Sequence, residues 1–202
     1  MQNILCTNYS AYPTVAGMSE REVHSGEELK ALTHPLRVRM LAVLREDGPA
    51  TATELARRFA TDTGATSYHL RKLAQYGFVE EVAVDGHPRA RHWQAVHTTT
   101  TWKNTEVGAT GEGRTAADWM RRQQAGILQS DVESFEQLQN SLPPEWIDAA
   151  GIGDLLVKLT PESLGELWDR FYSHLDELKA KDARDEAARR VSIVVGGFPR
   201  PS

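Results

Sequence analysis

Cysteine occurs once in the 202 residues, at Cys6. That excludes an intrachain disulfide framework and any thiolate metal cluster within one chain, and it suits a reducing cytoplasm. Long apolar runs are missing as well, since none approaches the roughly 20 residues a membrane-spanning helix needs. No basic-then-apolar signal segment opens the chain. No glycine loop is set to cradle a phosphate, no nucleophile stands beside a base, and no metal-ligand set recurs at a usable spacing. An enzyme is therefore not expected, and neither is a cofactor or metal. Excess basic charge is lacking too: the formal net charge is -5, which argues against a nonspecific polyanion binder.

What is present is ordinary in amount and uneven in distribution. Hydrophobic residues make up 40% and charged residues 25%, enough for one core with an appendage. Residues 29–97 carry ten Lys/Arg against seven Asp/Glu, with five of the seven histidines. The flanking stretches are acidic. A weakly basic segment inside an acidic protein fits nucleic-acid contacts that are few and placed.

Residues 1–25 mix Asn, Ser, Thr, Pro and Gly without a period and read as a flexible arm, so that Met18 would serve as a natural start. From Pro35, Leu36, Met40, Val43 and Leu44 share a helical face that stops at Asp47-Gly48-Pro49. Thr51-x-x-Glu54 is a capping box, followed by Leu55, Ala56 and Phe59 facing inward. Asp62 or Thr63 caps the next helix, whose apolar side carries Leu70 and Leu73 before Gly77. Val82-Ala-Val and Ala90 to Val96 then flank Asp85-Gly86-His-Pro-Arg as a hairpin. Helix, helix, helix, hairpin is the order of a winged helix-turn-helix, whose usual work is reading double-stranded DNA.

The rest of the chain reads as a Thr- and Gly-rich linker over 98–114 and a C-terminal region over 115–202. Thr115-x-x-Asp118 opens a long helix toward Leu142 with Met120, Ile127, Leu128, Val132, Phe135, Leu138 and Leu142 as its stripe, ended by Pro143-Pro144. Asp154-Leu-Leu-Val-Lys-Leu reads as a strand. Thr160-Pro161-Glu162 starts a helix striped by Leu164, Leu167, Trp168, Phe171, Leu175 and Leu178, with proline where its missing amide costs nothing. Val191-Ser-Ile-Val-Val makes a last strand. The expected class is mainly α with small β: a winged domain over 26–97, a long dimerisation helix, and a strand-helix-strand appendage.

The segment Leu32-Thr-His-Pro-Leu-Arg-Val-Arg-Met-Leu-Ala-Val-Leu, with Ala52-Thr-Glu-Leu-Ala and Thr66-Ser-Tyr-His-Leu-Arg-Lys-Leu, closely resembles ArsR-type winged-helix transcriptional regulators of bacteria. The C-terminal half looks like the tail of an actinobacterial-style subgroup, through Pro143-Pro-Glu-Trp, Asp154-Leu-Leu-Val-Lys-Leu-Thr-Pro-Glu and Phe198-Pro-Arg. The resemblance implies a homodimeric repressor-like protein with dimer contacts from the first helix and from the long helix after the wing. Metal-sensing members carry Cys-x-Cys before the recognition helix or His/Asp pairs on the dimer helix. Thr51-Ala-Thr-Glu-Leu stands at the first place, and residues 115–142 hold no histidine or cysteine, so metal sensing at either is not implied.

On the recognition helix, 63–76, a 100° step per residue turns Thr66, Leu70 and Leu73 inward. Gly64, Ser67, Tyr68, Arg71, Lys72 and Gln75 then face out. Thr63 and Gly64 offer backbone amides to a phosphate, and Ser67 and Tyr68 reach base edges or backbone. Arg71 suits bidentate guanine reading and Lys72 a phosphate. In the wing, 79–96, Arg89 and Arg91 would grip the flanking backbone or enter the minor groove. His69 is expected at the edge of the core. His87, His92 and His97 do not share a strand face and make a poor zinc set. Any one of these basic residues alone would be an ordinary solvated side chain, and only the ordered unit argues for DNA. The competing reading is a protein-interaction adaptor. The aromatics Trp93, Trp102, Trp119, Trp146, Trp168, Phe171 and Tyr172 read as core rather than as a ligand box, and an unknown small-molecule effector has its natural seat in an apolar pocket between the long helix and the appendage.

Overall fold

Local capping chemistry sets the boundaries of the helices that carry the site. The computed structural model describes residues 6–7, 20–84 and 90–201. In chain order these form β1 (Cys6–Thr7), β2 (Glu20–Val23), α1 (Gly26–Lys30), α2 (Pro35–Glu46), β3 (Ala50–Thr51), α3 (Ala52–Arg58) and α4 (Thr63–Gln75). There follow β4 (Val79–Val82), β5 (His92–Ala95), β6 (Thr99–Trp102), α5 (Asn104–Val107), α6 (Gly111–Leu138), a 3-10 turn, α7 (Pro144–Ala149) and α8 (Pro161–Asp182).

His34 caps α2, its ring nitrogen accepting from the Leu36 amide at 3.1 Å, with Pro35 in the first turn. The capping box of α3 is complete. Thr51 Oγ1 accepts from the Glu54 amide at 3.2 Å, and the Glu54 carboxylate accepts from the Thr51 amide at 2.7 Å. These bonds hold the Glu54 carboxyl below its ordinary range, first through the Thr51 backbone and then its hydroxyl. Asp62 caps α4 by accepting from the Ala65 amide at 2.7 Å. The turn between α3 and α4 passes through Ala60 at φ 50°, a left-handed position that costs an alanine about 1–2 kcal/mol. Past α4, Gly77 at φ 69° turns the chain so that the Phe78 amide donates to Leu73 at 3.0 Å.

β4 and β5 form the antiparallel wing in the register Val79↔Ala95 to Val82↔His92, and β3 adds to the far side of β5. The hairpin tip with Asp85, Gly86, His87 and Arg89 lies outside the described residues. A second sheet departs from expectation. β6 lies between β1 and β2, parallel to both, pairing Glu20↔Thr99 through Val23↔Trp102. The stretch 98–114, expected as a connector, thus supplies a strand, and the supposed arm supplies the partner strand at its end. Thr100, Thr101 and Trp102 are buried, and Arg45 donates to Thr100 Oγ1 at 2.7 Å and to the His97 carbonyl at 2.9 Å.

The core joins Val23, Leu29, Leu32, Met40, Leu41, Leu55, Leu70, Leu73, Phe78, Trp93, Trp102 and Met120 in one cluster. α6 enters it through Ala116, Ala117 and Met120, and its Gly113 is buried as well. It begins a turn before the expected Thr115, because Thr110 Oγ1 accepts from the Gly113 amide at 3.0 Å and so caps it. Two glycines in its first turn concealed that start.

The chain divides into two units, one ending at Gln123 and the other beginning at Gln124. Among the described residues of the second, none is buried. The mainly α class with small β holds, and α8 starts where expected, its cap Thr160 accepting from the Ser163 amide at 3.2 Å. The strand-helix-strand appendage does not: Asp154–Leu159 and Val191–Val195 lie in no strand. A strand exists only by pairing its backbone, and these segments stay solvated, with Leu155 at 92% and Leu156 at 79% exposure. Among the described residues no helix is long and apolar enough to cross a membrane.

Candidate nucleic-acid interface

α4 is fastened to its domain from one side only. Thr66, Leu70 and Leu73 are fully buried, and the Thr66 hydroxyl donates to the Ala52 carbonyl at 2.8 Å, tying α4 to the start of α3. The outward row is uncovered. Thr63, Gly64, Arg71 and Gln75 are exposed, Ser67 and Lys72 are half-exposed, and Tyr68 is 56% exposed. A large aromatic left that open on a rigid helix is suited to stacking or a hydroxyl contact with a partner.

The basic side chains in this row are held lightly. Arg71 Nε donates to the Ser67 carbonyl of its own helix at 3.1 Å. Lys72 donates to Gln75 at 2.9 Å and lies 5.2 Å from the Tyr76 ring centroid. Arg91 pairs with Glu81 across the wing at 3.1 Å, with both side chains largely in solvent. Such exposed contacts are worth about 0–1 kcal/mol and exchange readily for a stronger anion.

The start of α4 is less open than its glycine suggests. The Asp62 carboxylate takes the Ala65 amide and lies 3.0 Å from where a Gly64 Cβ would be. An anion is already seated there, so a phosphate at the Thr63 and Gly64 amides would meet like charge.

His69 is buried, as its position at the core edge implied, and its ring stacks on His34 with centroids 4.1 Å apart. Burial, then the neighbouring His34 and Arg37, holds His69 below the ordinary histidine value, and burial and Arg37 do the same to His34. His92 is buried in β5 with Nδ1 at 3.1 Å from the Ala90 carbonyl, while His97 is held low by burial. A separate trio, Glu22, His24 and Glu106, brings its ligand atoms within 4.8 Å of one another. Lys103 already answers both carboxylates at 3.1 Å and His24 contacts Glu106 at 3.0 Å, so the carboxylates are engaged by the chain itself.

One basic residue beside this face escaped the sequence reading. Arg57 of α3 is exposed and borders a cleft of about 530 Å³ with Ser67, Arg71, Arg91 and Trp93. The signal was available: Arg57 falls outside the inward set Leu55, Ala56 and Phe59.

Residues 32–82 match the helix-turn-helix domain family, a quarter of the chain. No curated protein matches the chain. Among solved structures it is similar to reduced HlyU from Vibrio cholerae, at 20% identity over 46% of this chain and 81% of that one, with a TM-score of 0.30. It is also similar to an apo ZitR variant from Lactococcus lactis at 14% identity, covering 75% and 87% of the two chains with a TM-score of 0.33. A MarR variant from E. coli shares 17% identity over 74% and 84%, with a TM-score of 0.32. At such identities and scores these likenesses carry nothing about function. The architecture and the domain match agree that the chain holds a winged helix-turn-helix.

Proposed function

We propose that the protein is an ArsR-type, sequence-specific regulator of transcription in a bacterial cytoplasm, binding double-stranded DNA as a homodimeric repressor. Residues 26–97 would read the duplex, and 115–202 would dimerise and house any effector. The observation that carries the reading is α4, whose Ser67, Tyr68 and Arg71 side lies uncovered while Thr66, Leu70 and Leu73 anchor the other. α4 would lie in the major groove, with Ser67, Tyr68 and Arg71 toward the bases and Lys72 and the wing arginines Arg89 and Arg91 toward the backbone. Thr63 and Gly64 are the weaker members because of Asp62.

A homodimer is supported by the second unit, where apolar side chains such as Leu155, Leu156, Ile193 and Phe198 stand in solvent. Apolar side chains left in solvent are available to a second copy of the chain, and burying them there is favourable. A two-fold dimer would meet an inverted repeat whose half-sites lie about 34 Å apart.

The test is selection of bound fragments from genomic DNA, followed by a mobility shift on the selected duplex. Arg71→Ala is expected to cost about 1–3 kcal/mol and to relax selectivity at one base pair. Retention of both affinity and selectivity would remove Arg71 from the bases. Absence of any selected duplex would favour a protein-interaction adaptor instead.

A further inference from the structure

The cleft between α3, α4 and β5 has a chemistry of its own. Guanidinium groups reach it from separate elements, Arg57 from α3, Arg71 from α4 and Arg91 at the foot of β5. Glu54 is the carboxylate in its lining; it takes the Thr51 amide and hydroxyl at 2.7 and 2.8 Å, and the three guanidinium groups outweigh its charge. Among the described residues the Arg57 side chain has no hydrogen-bond or ion-pair partner and only a through-space attraction to Glu54, whereas its neighbour Arg58 is paired with Asp47 at 2.5 Å. The Trp93 indole, 4% exposed, gives the cleft an apolar wall, and the Thr53 and Ser67 side chains border it.

Cationic donors gathered at one cleft suit a phosphate, whose oxygens guanidinium groups bind in fork geometry. The neighbouring alternative is the weaker one, because Asp62 already occupies an amide at the start of α4. We infer that this cleft seats a backbone phosphate of the bound DNA strand, with Arg57 as its principal ligand and Arg71 left free to reach the bases. The inference rests on the duplex-binding reading above. It adds a contact from the helix before the recognition helix, and it moves the phosphate seat from the α4 amides to a side-chain cleft.

The experiment compares the full-length protein with Arg57→Gln and Arg57→Lys on the selected duplex and on an unrelated one across a salt series. Arg57→Gln is expected to weaken both duplexes by the same factor, roughly five- to tenfold at 0.1 M salt. The slope of log affinity against log salt should fall by about 0.9, the contribution of one phosphate. Arg57→Lys should keep most of the slope. Thermal midpoints of the variants should match the parent, since the side chain is exposed. An unchanged slope in Arg57→Gln, while Arg71→Ala still relaxes selectivity, would overturn the cleft assignment and leave the DNA reading standing. Failure of the parent to bind any duplex would overturn both. Trp93 fluorescence titrated with inorganic phosphate and with thymidine monophosphate separates a duplex seat from a free-anion site. Saturation by either at micromolar concentration, without duplex binding, would overturn the assignment to DNA.

Discussion

Gly113 shows how much a single missing Cβ decides. A methyl group there would meet the Val107 carbonyl oxygen at 1.8 Å, and a Cβ on Gly26 would meet the Gly113 Cα at 2.5 Å. Both contacts are with backbone, which has no rotamer to yield, so the first turn of α6 and the start of α1 approach only because both residues are glycine. Gly113→Ala is expected to destabilise the protein by about 1–3 kcal/mol, the usual cost of overfilling a close contact. A urea midpoint equal to the parent's would show that the two helices can separate freely. Arg57 makes the opposite point, since among the described residues its side chain makes no hydrogen bond or ion pair, and its removal should be felt mainly when a partner is present.

At the scale of elements, the His34–His69 stack joins the start of α2 to the middle of α4. Both imidazoles titrate below the ordinary value of 6.5, principally through burial, with Arg37 adding repulsion to each. The unfolded chain therefore takes up protons before the folded one does. The stabilisation is complete above about pH 6.5 and is lost as pH falls through the lowered folded values. Each tenfold difference in proton affinity is worth about 1.4 kcal/mol. His24 works in the other direction, because Glu106 raises it, but it lies in solvent and is screened. The thermal midpoint should accordingly decline between pH 6.5 and 5, above the carboxylate range, and His69→Gln should flatten that decline. Identical acid limbs for parent and variant would mean the stack does not titrate in this window. The caps belong to this scale as well. Thr51 with Glu54 was legible because its partners are three residues apart, while the Thr110 cap was hidden behind two glycines of poor helix propensity.

For the molecule as a whole, the two units differ in what holds them. The unit ending at Gln123 contains every buried residue of the core cluster, and the described part of the other contains none. Chain ordering costs about 1–2 kcal/mol per residue in backbone entropy alone, which half-exposed side chains cannot offset without a second surface. A fragment ending at Gln123 is therefore expected to melt cooperatively by circular dichroism. Residues 124–202 alone should show no cooperative transition as a monomer, and a sharp monomeric melt of that fragment, independent of concentration, would defeat the argument.

The local grammar of residues 26–97 determined the winged helix-turn-helix by itself. Capping boxes, a 3.6-residue apolar period and glycine stops all act over a few positions, and each was visible before any fold was known. The facing of Thr66, Leu70 and Leu73 against Tyr68 and Arg71 follows from the same arithmetic. Only tertiary structure decided the rest. The pairing of β2 with β6 joins residues about eighty positions apart, so a threonine run and a polar arm carried no sign of it. The gathering of Arg57, Arg71 and Arg91 at one cleft likewise depends on where three elements come to lie. The segments around Leu155 and Val191 have strand-forming side chains, but a strand is a relation between two backbones, and among the described residues neither segment has a partner.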